Sequence, residues 1–113
     1  MNDMGGNRVI GLDLGVTSAH SAVVLDATGQ ILLRRRVVST VDSLAVLEQA
    51  ALQGTPEQTR LTVVIEPTGP MWLPIAVYFG RQGHTVVRVS SAKAADLRRF
   101  LSALRSWPGN AGF

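Results

Sequence analysis

Val9-Ile10-Gly11-Leu12-Asp13-Leu14, then Ser21-Ala22-Val23-Val24-Leu25-Asp26, then Ile31 to Ser39 (ILLRRRVVS) decide the fold class of this chain. Each run is short, rich in β-branched and other apolar residues, and bounded by turn formers, which is the pattern of a strand. The Ala27-Thr28-Gly29-Gln30 link is short and contains glycine, which predicts a hairpin between the second and third runs. The link from Gly15 to Ser18 predicts another hairpin before it. The opening is therefore read as a three-stranded antiparallel meander.

Downstream, Thr40 or Asp42 can cap a helix in which Val41, Leu44, Leu47 and Ala51 recur at helical spacing, and Gly54-Thr55-Pro56 ends it. Arg60 to Ile65 reads as a fourth strand. Met71 to Gln82 reads as a second helix, with Pro74 tolerable near its first turn and Gly83 as its stop. Thr85 to Val89 reads as a fifth strand. A last helix is expected from Ala92 to about Ser106, capped by Ser90 or Ser91, before an irregular tail, residues 107–113. A meander, a helix and a strand-helix-strand unit with a right-handed crossover describe an α/β domain over residues 8–106. Its mixed five-stranded sheet with helices packed on it has the RNase H-like order of elements.

The chain has 113 residues and 46% hydrophobic composition, enough for one core of modest size. Without cysteine it can form neither a disulfide framework nor a thiolate zinc site, and His20 and His84 do not make a metal cluster by spacing. The first seven residues lack the basic-then-apolar layout of a signal peptide. The longest near-continuous apolar run, Met71 to Phe79, is too short to span a bilayer. The expectation is a soluble cytoplasmic protein with no membrane partner. Eleven Lys+Arg against eight Asp+Glu give a formal charge of +3, which permits nucleic-acid binding without establishing it.

Two acids stand out. Asp13 lies within the first apolar run, between Leu12 and Leu14, where an ionised carboxylate with buried neighbours is costly unless a cation or another group compensates it. Glu66 follows the fourth run, at the carboxyl end of a strand, where α/β sheets place their ligands. If the first and fourth strands are parallel neighbours, about 4.8 Å apart, the two carboxylates meet at one spot. Magnesium binds through one or two carboxylates, keeps several waters and takes phosphate oxygens, so the pair is a nucleus for phosphodiester chemistry. Taken singly, each acid is equally well a turn residue or a structural charge.

The other acids read as structural: Asp26 precedes a turn, Asp42 caps, Glu48 and Glu57 are solvated, and Asp96 suits a helix dipole. Arg34, Arg35 and Arg36 alternate across a strand and so cannot all face one ligand, which favours a solvated edge. Lys93, Arg98, Arg99 and Arg105 fall on the last expected helix, where Arg98 and Arg105 share a face that could contact nucleic-acid phosphates or simply water. Trp72, Tyr78, Phe79 and Phe100 sit beside aliphatics at helical positions and read as core. His20 and His84 have no role identifiable from the sequence.

Two stretches together carry a family resemblance. They are Gly11-Leu12-Asp13-Leu14-Gly15 with Ser21 to Asp26, and Val64-Ile65-Glu66-Pro67-Thr68-Gly69 with Gly83 to Val89 and Lys93 to Phe100. They resemble the amino-terminal domain of DEDD-type insertion-sequence transposases, the IS-one-ten family that includes Piv and MooV-like recombinases, from about Arg8 to Leu101. The resemblance implies a RuvC-like fold, magnesium, and recombination of DNA guided by an element-encoded RNA, in a full-length protein that forms homo-oligomers. Asp13 and Glu66 match the first two acids of the family motif, as catalytic metal ligands.

The family follows this region with a Lys-Thr-Asp-x-x-Asp-Ala segment carrying the last two acids, where this chain reads Leu104-Arg105-Ser106-Trp107-Pro108-Gly109-Asn110. Neither aspartate is there, nor is the family's carboxyl-terminal domain with its nucleophilic serine. The expectation is a truncated or frameshifted product, incomplete at its carboxyl end and inactive alone. Two rivals stand beside it. Ile10 to Ser18 also resembles the first phosphate loop of sugar kinases and actin-like ATPases, where glycine amides would approach phosphate and Asp13 would hold its magnesium. The third reading is a non-catalytic module that binds nucleic acid or the full-length enzyme.

Overall fold

The computed structural model describes residues 8–15, 19–66 and 69–89. Among the described residues, five strands and two α-helices follow in the order β1 (Arg8–Asp13), β2 (Ala19–Asp26), β3 (Ile31–Val38), α1 (Val41–Leu52), β4 (Thr62–Glu66), α2 (Trp72–Arg81) and β5 (Thr85–Arg88), with a 3-10 turn at Gly69–Met71. The expected meander is present: β1 pairs antiparallel with β2, and β2 with β3. Beyond it, β4 pairs parallel with β1, and β5 parallel with β4, giving one mixed sheet in the order β3-β2-β1-β4-β5. A parallel neighbour cannot follow a tight turn, so α1 carries the chain from β3 across to β4 and α2 from β4 to β5. The helix expected at 92–106, with Lys93, Asp96, Arg98, Arg99, Phe100 and Arg105, and the 107–113 tail lie outside the described residues.

Alternation along the strands sets the two faces of the sheet. Ile10, Leu12, Ala22, Val24, Val37, Val63 and Ile65 are buried on one face, against Leu44, Leu47 and Ala51 of α1 and Ile75 and Phe79 of α2. The residues between them in β1 and β4, namely Val9, Gly11 and Asp13 with Thr62, Val64 and Glu66, occupy the other face. Among the described residues no helix is long and apolar enough to cross a membrane.

Local chemistry fixes the ends of the elements. The Asp26 carboxylate accepts from the Thr28 amide (2.9 Å), the Thr28 hydroxyl (2.7 Å) and the Gln30 amide (3.0 Å), and Gly29 takes a φ of 88°, so the β2–β3 turn closes on its own side chains. Burial raises the Asp26 pKa, but these hydrogen bonds and the Arg8 charge outweigh it and hold the carboxyl below its ordinary range. Thr40 caps α1, its hydroxyl accepting from the Ser43 amide at 3.2 Å, while Asp42 sits in the first turn. At the other end of α1, one Arg8 guanidinium nitrogen donates to the carbonyls of Ala51 and Gln53, both at 3.0 Å. This ties the start of β1 to the electronegative end of the helix.

Pro74 falls in the first turn of α2, where its missing amide has no intrahelical acceptor to lose. The helix stops at Gly83, with a φ of 88°, through bonds from the His84 amide to the Phe79 carbonyl and from the Gly83 amide to the Gly80 carbonyl, both at 3.1 Å.

Two expectations for α1 are corrected. Val41 does not join the apolar stripe: as the first helical residue it turns outward and is 67% exposed. Glu48 is not solvated but 8% exposed, because four residues after Leu44 and beside Leu47 it falls on the stripe that faces α2.

Candidate metal centre

Asp13 is the last residue of β1 and Glu66 the last of β4, and the parallel register sets them directly opposite one another. Their Cα atoms are thus about 4.8 Å apart across the sheet, and register partners project to the same side. That side is the face away from α1 and α2. The expectation that β1 and β4 are parallel neighbours is met, and it sets Asp13 and Glu66 opposite one another at their carboxyl ends.

The burial argument for Asp13 is not met. Ile10, Leu12 and Leu14 take the core phase, so Asp13, in the opposite phase, is exposed, and Glu66 is half-buried. Neither acid stands without a partner in the structure.

Magnesium fits the donor set. Among the described residues no group of three or more His, Asp or Glu side chains converges on one metal position. Two carboxylates at an accessible strand end match a hard cation that retains waters and accepts phosphate oxygens, rather than zinc or calcium, which need fuller protein cages.

His20 holds the segment that leaves Asp13. It is buried at 1% exposure, and its Nδ1 accepts from the Gly15 amide at 3.1 Å. The ring proton therefore lies on Nε2, which donates to the Ser39 hydroxyl at 2.9 Å. Burial lowers the His20 pKa, in keeping with a neutral ring. A signal for this was present in the sequence, since His20 shares the alternation phase of Ala22 and Val24 and so had to be buried and bonded.

His84, Tyr78, Gln82 and Glu48 form a second polar cluster. The Leu61 amide donates to His84 Nδ1 at 3.0 Å, so His84 Nε2 carries the proton and donates to Glu48 Oε2 at 2.7 Å. The Tyr78 hydroxyl donates to Glu48 Oε1 at 2.6 Å, and the Gln82 side-chain amide approaches the same oxygen at 3.4 Å. Burial, the Glu48 hydrogen bond and the Glu48 charge push the Tyr78 phenol up to about 12. The cluster lies between α1, α2 and the strands, on the helix side of the sheet, and ties these elements together away from Asp13 and Glu66.

Of the aromatics read as core, Phe79 is fully buried with Tyr78 edge-on to it at 5.1 Å between ring centroids. Trp72 packs at the margin, with the Arg88 guanidinium 3.8 Å from its ring centroid. Arg34, Arg35 and Arg36 are all exposed on β3, the sheet edge, as expected. No protein-family model matches the chain, and no curated protein matches it at a significant level.

Proposed function

We propose that this chain is the amino-terminal, RuvC-like part of a DNA transposase or recombinase of the DEDD type, in which Asp13 and Glu66 hold a magnesium ion for phosphodiester chemistry. The observation that carries the reading is the pairing of Asp13 with Glu66 at the carboxyl ends of the parallel neighbours β1 and β4. The strand order β3-β2-β1-β4-β5, with three antiparallel strands leading into two parallel ones, agrees with an RNase H-like domain.

Bound magnesium would polarise a phosphodiester oxygen and offset the charge that builds there during displacement. The chain's own part is positional. The sheet holds Asp13 and Glu66 opposite one another on neighbouring strands, and the His20 bond to the Gly15 amide steadies the segment that leaves Asp13. DNA is the proposed substrate, and an element-encoded guide RNA and a homo-oligomer are proposed for the full-length protein. The last two acids of the family motif are not among these 113 residues, so the chain alone is expected to bind magnesium without cleaving DNA.

The ATPase-like rival asks the glycine amides after β1 to approach phosphate. The Gly15 amide is instead committed to His20 Nδ1, which counts against that reading. Calorimetric titration of the pure chain with magnesium tests the proposal. One site per chain, lost in both Asp13→Ala and Glu66→Ala, is the expected result. Unchanged binding in either variant would refute it, and plasmid nicking abolished by Asp13→Ala would overturn the expected inactivity.

A further inference from the structure

Across the sheet, Arg36 stands opposite Ser21, Ser21 opposite Asp13, and Asp13 opposite Glu66. These four residues form one row over β3, β2, β1 and β4, on the face away from the helices. The adjoining row holds Arg34, Val23, Gly11, Val64 and Val87. Arg35 is in the other phase, opposite Ala22, on the helix side. The arginine run therefore divides: Arg34 and Arg36 share a face with the carboxylate pair, and Arg35 does not.

The space between them is low. Ser21 is small and exposed, and Gly11 has no side chain. A Cβ at Gly11 would lie 3.2 Å from Val23 Cγ1, tighter than ordinary contact. Arg36 and Asp13 are two strands apart, roughly 10 Å between Cα atoms, and Arg34 and Arg36 are roughly 7 Å apart along β3.

We propose that Arg34 and Arg36 bind the backbone of a DNA strand whose reacting phosphate lies at Asp13 and Glu66. This rests on the function proposed above and adds the residues that seat the substrate. The charge pattern selects the occupant. A carboxylate pair repels phosphate, but a divalent cation would cancel its two charges and leave coordination positions for phosphate oxygens, while Arg34 and Arg36 supply positive charge at the β3 edge, with a neutral floor between. Guanidinium forks match phosphate oxygens in pairs, which suits flanking phosphates on one strand. Edge charge also deters strand-to-strand aggregation, but Arg35 would serve that purpose equally. The contrast with Arg35 therefore separates the two roles.

The test is fluorescence anisotropy of a labelled DNA duplex with the full 113-residue chain, over a potassium chloride series at constant magnesium. Arg34→Ala and Arg36→Ala should each weaken binding and lower the slope of log affinity against log salt by about 0.9, the loss of one phosphate contact. Arg35→Ala should leave the slope unchanged. Equal effects from all three variants, no effect from Arg34→Ala and Arg36→Ala, or no binding by the parent chain would overturn the proposal. Magnesium titration of the same variants separates the two readings. Intact metal binding with no arginine effect removes this inference alone, whereas a parent chain that binds no magnesium removes the metal site beneath it.

Discussion

Glu48 of α1 and His84, at the entry to β5, are joined by a 2.7 Å hydrogen bond, with side chains 11% and 5% exposed. Glu48→Ala would leave the part-buried His84 Nε2–H and Tyr78 hydroxyl without their acceptor. Hydrogen bonds to a charged acceptor contribute about 1.5–3 kcal/mol each, so the variant should lose about 3–5 kcal/mol in urea unfolding. Glu48→Gln, which keeps one acceptor oxygen, should lose less. A change below about 0.5 kcal/mol in Glu48→Ala, the range of ordinary surface substitutions, would show that the cluster does not tie the helices to the sheet.

Tyr78 is the sole tyrosine, so phenolate absorbance reports it without ambiguity. Its folded pKa, about 12, lies above the ordinary value of 10.0. The folded state keeps the proton longer than the unfolded state, so this contribution to stability is full below pH 10 and is lost as pH rises toward 12. Native protein should show little phenolate near pH 10, and Glu48→Ala should titrate lower. A midpoint near 10 before any change in circular dichroism would contradict the Tyr78–Glu48 hydrogen bond.

His20 gives the opposite dependence. Burial lowers its pKa below the ordinary 6.5, so below that pH the unfolded chain takes up a proton that the folded chain refuses. Stability from this group is complete above 6.5, falls as pH drops through the interval down to the folded pKa, and levels off beneath it. Urea unfolding of His20→Ala should be weaker overall and flatter with pH across this interval. An undiminished pH slope in the variant would assign the effect elsewhere.

The meander was legible in the sequence because Gly29, Asp26 and the apolar runs punctuate it locally. The opposition of Asp13 and Glu66 follows from the parallel pairing of β1 with β4. The environment of Asp13 does not follow from its apolar neighbours, because the alternation of Ile10, Leu12 and Leu14 sets it in the outward phase. The burial of Glu48 follows from its spacing after Leu44, but its partners Tyr78 and His84, 30 and 36 residues away, are not legible locally. The division of the arginine run needed three strand registers, and short apolar strands do not announce register in advance.

Arg8 links the start of β1 to the last carbonyls of α1 through two 3.0 Å bonds. Arg8→Ala should cost about 1.5–3 kcal/mol, since a charged donor is lost from a helix carboxyl end. Arg8→Lys should recover part of this through its charge but not the two-carbonyl contact. Equal stability of both variants with the parent would place the guanidinium outside the network that holds β1.

Magnesium should stabilise the folded chain by mass action if Asp13 and Glu66 form the site proposed for them. A ligand that binds the folded state alone adds RT ln(1 + [L]/Kd), about 1.4 kcal/mol at ten times Kd, rising by a further ~1.4 kcal/mol with each tenfold increase in concentration. Thermal unfolding of the parent should therefore shift upward steadily with log magnesium. Asp13→Asn and Glu66→Gln keep the shape of each side chain but remove one charge from the pair, so both should leave the midpoint flat with magnesium. Potassium chloride at matched ionic strength controls for screening, because general screening has no reason to require these two oxygens. An equal rise in the variants, or the same rise with potassium, would mean that the pair opposite one another on β1 and β4 does not hold the cation.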